Sequence, residues 1–147
     1  MAKSPATYDD VNLILRLYDC RREERLRAAR AWFSEKFHPQ TMDELQTLCP
    51  PGSAENASLR MVVSHWDMVA SFITSGVLNP DLFFESGREL LQCWMQIEAF
   101  VPPLRALFGE PMMFHNLEKV AKQYADWLNA RAPGSYEAFA AAIRKMR

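Results

Sequence analysis

The chain has few of the residues that build cross-linked or metal-bound folds. It holds three cysteines, Cys20, Cys49 and Cys93, and no two of them form a CxxC pair. Its three histidines are equally scattered, at positions 38, 65 and 115. An odd number of dispersed thiols is typical of reduced cytoplasmic cysteines, and not of a disulfide framework or a zinc site. We therefore expect no metal, no cofactor and a cytoplasmic location.

Long apolar runs and an excess of one charge are also missing. No run approaches the length of about 20 residues that a membrane-spanning helix needs. The first ten residues contain no apolar signal core. With 17 basic and 18 acidic residues the formal net charge is −1, so no strong overall field attracts nucleic acid or anionic lipid. We expect no membrane association, and nucleic acid is a disfavoured partner.

Sequence signatures of common catalytic sites are absent as well. The chain contains no dinucleotide-binding glycine motif, no phosphate-binding loop, no nucleophile elbow, no HExxH and no calcium loop. These absences make an enzyme less probable, although an active site assembled from dispersed residues stays open.

What the chain does have is apolar residues at helical spacing. Apolar residues make up 49% of the sequence and aromatic residues 12%. The strongest amphipathic pattern covers residues 54–75, before a stop at Gly76, and no stretch alternates with the period of a strand. Its apolar positions are Leu59, Val62, Val63, Trp66, Val69, Ala70 and Ile73. We predict an all-α fold, an irregular bundle of five to seven helices with mostly antiparallel neighbours, in one domain over residues 1–147.

The first helix is predicted to begin after a Thr7 cap and to run to Phe37, before His38-Pro39. Its apolar stripe lapses through Asp19–Arg25, which leaves open one long helix or two helices joined at a kink. Pairs such as Glu23 with Arg27 favour the continuous helix.

Further helices are predicted from capping residues and breakers. Asn79-Pro80-Asp81 begins a helix that Pro102-Pro103 ends or bends, and Gly87 within it indicates a close packing contact. The remaining helices are predicted over residues 41–48 after a capping box, 104–108, 113–131 and 135–146, the last with Ser135 as its cap.

Several polar residues on the two central helices are candidates for a pocket between residues 54–75 and 80–100. They are His65, Asp67, Trp94 and Glu98, with Arg105 just beyond. Because His65 and Asp67 are two positions apart, their side chains point in different directions and cannot form one dyad. The competing interpretation is that Asp67 is a half-buried carboxylate with a structural partner.

Arginines concentrate between Arg16 and Arg30. Six arginines against three acids give this stretch a net charge of +3 (six minus three). Arg21, Arg22 and Arg25 are candidate interface residues, since arginine is common at interface hot spots. The interleaved acids favour a solvated surface or a protein interface over a helix that reads a nucleic-acid groove.

The central helices and the opening stretch resemble a family of small all-helical bacterial proteins of unknown function. The resemblance lies in residues 65–70 (HWDMVA), 75–82 (SGVLNPDL) and 8–18 (YDDVNLILRLY), together with Trp94 and Arg105. It implies a helical bundle in which Asp67, Trp94 and Arg105 form one polar feature, with Asp67 where the family often has Glu. Because a carboxylate beside an apolar face needs a partner, we expect Asp67 to contact Arg105 or the Trp94 N–H.

Three classes of function follow. The favoured one is a non-catalytic cytoplasmic interaction or oligomerisation domain, with a homo-oligomer or a protein as partner. The first alternative is a small-molecule-binding protein or enzyme that uses the pocket between residues 54–75 and 80–100. The second alternative is a nucleic-acid-associated regulator that uses the Arg16–Arg30 helix.

Overall fold

A computed structural model describes residues 4–146. The first ten residues, in which the sequence shows no apolar signal core, therefore lie only partly within the described residues, because Met1–Lys3 fall outside them. The fold is all-α, as predicted, and 77% of the described residues are helical. Within residues 4–146 there are nine α-helices, with a 3₁₀ turn at Glu98–Phe100 between α6 and α7. Their bounds are α1 Tyr8–Arg22, α2 Glu24–Lys36, α3 Met42–Leu48, α4 Ala54–Thr74, α5 Pro80–Phe84, α6 Arg88–Ile97, α7 Val101–Phe108, α8 His115–Arg131 and α9 Ser135–Lys145. The predicted count of five to seven is therefore too low.

Of the two alternatives for the N-terminal helix, the favoured continuous helix is wrong, because the helix breaks at Glu23 into α1 and α2. This residue leaves the helical region (φ −56°, ψ 138°), and its carboxylate accepts hydrogen bonds from the backbone N–H groups of Arg25 and Leu26, each at 3.0 Å. Glu23 thus caps α2 instead of pairing along a continuous helix. The same hydrogen bonds hold the pKa of its carboxyl below the usual range.

A second break divides the helix predicted after Asn79. Gly87 is buried, and a Cβ on it would lie 2.3 Å from a ring carbon of Phe83. The close contact predicted at Gly87 is therefore confirmed, but it lies between α5 and α6 and not inside one helix. Pro102 and Pro103 occupy the first turn of α7, where a missing N–H costs nothing. These prolines therefore belong to the start of α7 and do not end α6, which stops at Ile97.

Most of the predicted helix starts are confirmed. Thr7 accepts a hydrogen bond from the N–H of Asp10 in a capping box, and the side chains of Thr41 and Asn79 cap α3 and α5. The capping box predicted at Thr41 is incomplete, because the Glu44 carboxylate accepts from the N–H of Gln40 and not from that of Thr41. The last helix differs, because Gly134 with φ 84° is its cap and Ser135 is its first residue.

The core is built around α4 and α8. The amphipathic helix α4 packs against α2, α6 and α8. The helix with the strongest apolar pattern in the sequence therefore lies at the centre of the fold. Trp66 and Val69 of α4 and Leu117 and Tyr124 of α8 are among its fully buried side chains. The Tyr124 hydroxyl donates to the backbone carbonyl of Phe84 and thereby attaches α5 to this centre.

Asp10 attaches α1 to α5. One of its carboxylate oxygens accepts from the Thr7 N–H at 2.8 Å, and the other accepts from the Asn79 N–H at 2.9 Å. These hydrogen bonds, first that from Thr7 and then that from Asn79, hold the pKa of the Asp10 carboxyl below its usual value.

Replacement of Asp10 by Asn should lower the melting temperature and weaken its dependence on acidic pH. Because the folded pKa is lowered, the charged carboxylate stabilises the fold above the usual aspartate range, and this contribution is lost as the pH falls through the folded pKa. Thermal unfolding of wild type, Asp10→Asn and the exposed control Asp9→Asn, followed by circular dichroism from neutral to acidic pH, measures both effects. An acid dependence in Asp10→Asn equal to that of wild type would contradict this role.

Candidate functional site

A cleft of about 380 Å³ opens between α2, α4 and α6. It lies where the first alternative function placed a pocket, between the helices near residues 54–75 and 80–100, with α2 as a third wall. Its polar lining includes Arg27 and Arg30 from α2 and Glu89, Gln92 and Gln96 from α6. Trp66 of α4 contributes an aromatic wall. We refer to this space as the charged cleft.

Glu89 is the centre of an ion-paired cluster beside the charged cleft. Its carboxylate accepts from the Arg30 guanidinium at 2.6 and 2.7 Å, in bidentate geometry, and lies 3.2 Å from the Arg21 guanidinium. Arg30 also donates to the backbone carbonyl of Arg21 at 3.1 Å. The bidentate pairing raises the pKa of Arg30. One carboxylate of α6 therefore holds the end of α1 and the middle of α2 together.

Polar atoms next to this cluster are buried without a partner. In the described part of the chain, Arg21 Nε, His65 Nε2 and Trp66 Nε1 have no hydrogen-bond partner. The rings of His65 and Trp66 meet edge to face with centroids 4.8 Å apart, and the Arg21 guanidinium lies 5.7 Å from the Trp66 ring centroid. Burial lowers the pKa of His65, so its imidazole is neutral at pH 7. The cluster thus has more hydrogen-bond donors than acceptors.

Gln96 fixes the opposite end of the charged cleft. Its side-chain amide is buried and donates to the backbone carbonyls of Phe33 and Phe37, each at 3.3 Å. These carbonyls lie at the C-terminal end of α2, where a helix leaves its acceptors unpaired. Gln96 therefore anchors α6 to α2 and keeps this wall of the cleft in place.

The predicted partner of Asp67 is wrong. Asp67 Oδ1 accepts a hydrogen bond from the backbone N–H of Leu117 at 3.0 Å, and not from Arg105 or Trp94. Leu117 lies in the first turn of α8, whose cap residue Phe114 has φ 58° and offers no side-chain cap. Asp67 of α4 thus caps α8 across the core, a role that the sequence does not reveal because the partner is a backbone group.

The other predicted pocket residues lie apart from one another. Trp94 is buried in the core, and Glu98 is exposed at the start of the 3₁₀ turn. Arg105 donates to the Met113 carbonyl at 2.9 Å and to Glu118 at 3.2 Å, joining α7 to α8. Only His65, beside Trp66, is next to the charged cleft. Asp67, Trp94 and Arg105 are not joined in one hydrogen-bonded feature among the described residues.

The arginines predicted for an interface divide into two groups. Arg21 is half-buried in the Glu89 cluster, whereas Arg22 and Arg25 are exposed on either side of the break at Glu23. Next to them, one face of α1 exposes large apolar side chains. They are Tyr8 (78% exposed), Val11 (40%), Leu15 (58%) and Tyr18 (51%), and we call them the α1 stripe.

Fold and site together define an all-helical protein with an ion-paired cleft and an exposed apolar helix face. The chain belongs to the family described as Domain of unknown function (DUF4760), whose sequence model matches residues 6–127, from the start of α1 into α8. This confirms the resemblance to an uncharacterised family. A search of curated proteins and a search of solved structures each found no match.

Two further findings bear on the site. Within residues 4–146, no group of three or more histidine, cysteine, aspartate or glutamate side chains is placed to hold a metal ion. In the same part of the chain, no helix has the combined length and apolarity needed to cross a membrane.

Replacement of Asp67 by Ala should destabilise the protein by about 0.5–2 kcal/mol, the usual loss for a helix cap. Its carboxylate satisfies an N–H in the first turn of α8, and alanine cannot. Urea unfolding compares this variant with Asp126→Ala, which removes an exposed carboxylate from α8 itself. Equal free energies of unfolding for the two variants would show that Asp67 does not act as a cap.

Proposed function

We propose that this chain is a non-catalytic interaction domain that associates with a second copy of itself through the α1 stripe. The observation that carries the proposal is the exposure of four large apolar side chains on one face of a single helix. The opposite face of α1 already packs into the fold through Leu17 and Asp10, which are buried. The α1 stripe is thus a second apolar face that residues 4–146 leave exposed.

The spacing of the α1 stripe suits a helical partner. Tyr8, Val11, Leu15 and Tyr18 follow one another at intervals of three, four and three residues, which is the seam of two consecutive heptads. Burial of a large apolar side chain at a helix–helix seam stabilises association by roughly 1.5–3 kcal/mol when the burial is complete. Two heptads make a short interface, so we expect reversible, concentration-dependent association.

The charges along α1 favour an antiparallel second copy. Residues 8–14 carry two acids and no base, whereas residues 15–22 carry three arginines and one acid, a net +2 (three minus one). An antiparallel pair places the acidic half of each helix, with exposed Asp9, against the basic half of the other, with exposed Arg16 and Arg22. A parallel pair would place like charges together. The antiparallel arrangement is also closed and two-fold symmetric, as most homodimers are.

The arginine pairing gives the nucleic-acid alternative less support. Arg21 and Arg30 share the carboxylate of Glu89, and Glu23 caps α2 between them. Fewer free positive charges therefore line this face than the sequence suggests. A cytoplasmic location remains a proposal based on the three unpaired cysteines.

Replacement of Leu15 by Glu should make the protein monomeric at concentrations where the wild type dimerises. A charge at the middle of the seam would be buried on association without a partner. Sedimentation velocity over a wide concentration range measures the mass of each protein. The matched control is Leu107→Glu, because Leu107 is similarly exposed (62%) but lies on α7.

Two results would overturn the proposal. One is a wild-type protein that stays monomeric up to its highest soluble concentration. The other is a Leu15→Glu variant, with the wild-type circular dichroism spectrum, that dimerises as strongly as Leu107→Glu.

A further inference from the structure

We infer that the charged cleft between α2, α4 and α6 binds a small molecule through an oxyanion, either a carboxylate or a phosphoryl group. The site is separate from the α1 stripe, and the inference does not depend on self-association.

The first argument is the surplus of hydrogen-bond donors. The Glu89 carboxylate already accepts from Arg30 at both oxygens and pairs with Arg21, so it has little capacity left. Arg21 Nε and Trp66 Nε1 nevertheless remain buried without an acceptor among the described residues. Trp66 is 2% exposed and lines the cleft. Buried polar groups are nearly always paired in folded proteins, so an unpaired donor at a cleft wall points to an acceptor from outside the chain.

The second argument is an arginine at the cleft that Glu89 does not hold. Arg27 and Arg30 line the cleft with Glu35 and Glu89, so the charges of the lining balance (two minus two). Arg30 and Arg21 are committed to Glu89, whereas Arg27 lines the cleft and is exposed. The guanidinium of Arg27 is therefore placed at the cleft without being committed to Glu89, and guanidinium matches the geometry of carboxylate and phosphate oxygens.

The third argument is the size and composition of the space. A volume of about 380 Å³ lies within the range of small-molecule sites in proteins. Phe33, Val62 and Trp66 provide an apolar surface beside the polar groups. The cleft thus fits a compact molecule with one oxyanion at Arg27 and an apolar or aromatic part against Trp66.

The test uses inorganic phosphate and citrate as probes, each compared with sodium chloride at equal ionic strength. Thermal unfolding and isothermal titration calorimetry are measured on wild type and on Arg27→Gln, Trp66→Phe and Arg25→Gln. Trp66→Phe keeps an aromatic ring and removes the indole N–H. Arg25→Gln is the matched control, because it removes an exposed arginine from α2 that does not line the cleft.

We expect at least one probe to raise the melting temperature of wild type and of Arg25→Gln, with binding at least several-fold weaker in Arg27→Gln. A response to phosphate alone assigns a phosphoryl ligand, a response to citrate alone assigns a carboxylate, and a response to both assigns the shared oxyanion chemistry.

The inference is overturned if neither probe has an effect beyond that of sodium chloride. It is also overturned if Arg25→Gln and Arg27→Gln lose binding equally, because the effect is then general surface charge. Since Arg27 is exposed, its variant should fold even if Trp66→Phe does not.

Discussion

Glu89 forms ion pairs with two arginines at once, and both the α1 stripe and the charged cleft depend on these pairs. Arg21 lies in the last turn of α1 and Arg30 lies inside α2, so the pairing crosses the break at Glu23 and attaches both helices to α6. Together with the hydrogen bond between Asp10 and Asn79, it holds α1 against the bundle with the α1 stripe exposed. It also closes one end of the charged cleft. Because the pair is half-buried and bidentate, it should be stronger than an ordinary surface ion pair.

Local chemistry was enough to predict much of the fold. The apolar positions of α4 follow helical spacing so closely that both its extent and its central place are confirmed. Capping residues such as Thr7, Thr41 and Asn79 act through neighbours three positions away, so the sequence alone identifies them. The breaks at Glu23 and Gly87 were missed for a common reason. Each break depends on a contact that the spacing of apolar residues does not indicate. At Glu23 the contact is with backbone N–H groups, and at Gly87 it is with the Phe83 ring.

The candidate site was only partly predictable because its contacts are distant in the chain. Arg30 and Glu89 are 59 positions apart, and no local pattern links them. Gln96 left a clearer signal, since it is a polar residue among the buried positions of α6, yet its carbonyl partners on α2 could not be inferred. The sequence indicates that the Asp67 carboxylate needs a partner, but that partner is a backbone N–H and not a side chain. The charged cleft lies between the two helices for which a pocket is predicted, but its arginines come from a third helix, α2, and none of the five predicted pocket residues lines it.

The antiparallel pairing of α1 is tested most directly by a distance between two copies. Cys20 is exposed on α1 while Cys49 and Cys93 are buried, so a nitroxide label should react at Cys20 alone. If Tyr8 of each copy lies opposite Tyr18 of the other, the two Cys20 positions are about 20 Å apart along the helix axes, given a rise of about 1.5 Å per residue. Double electron–electron resonance on the dimer should then give one distance population above about 20 Å. A parallel, in-register pair would bring the labelled backbones to about 10 Å, near the spacing of packed helices. That short distance, or the absence of any intermolecular coupling, would contradict the antiparallel α1 interface.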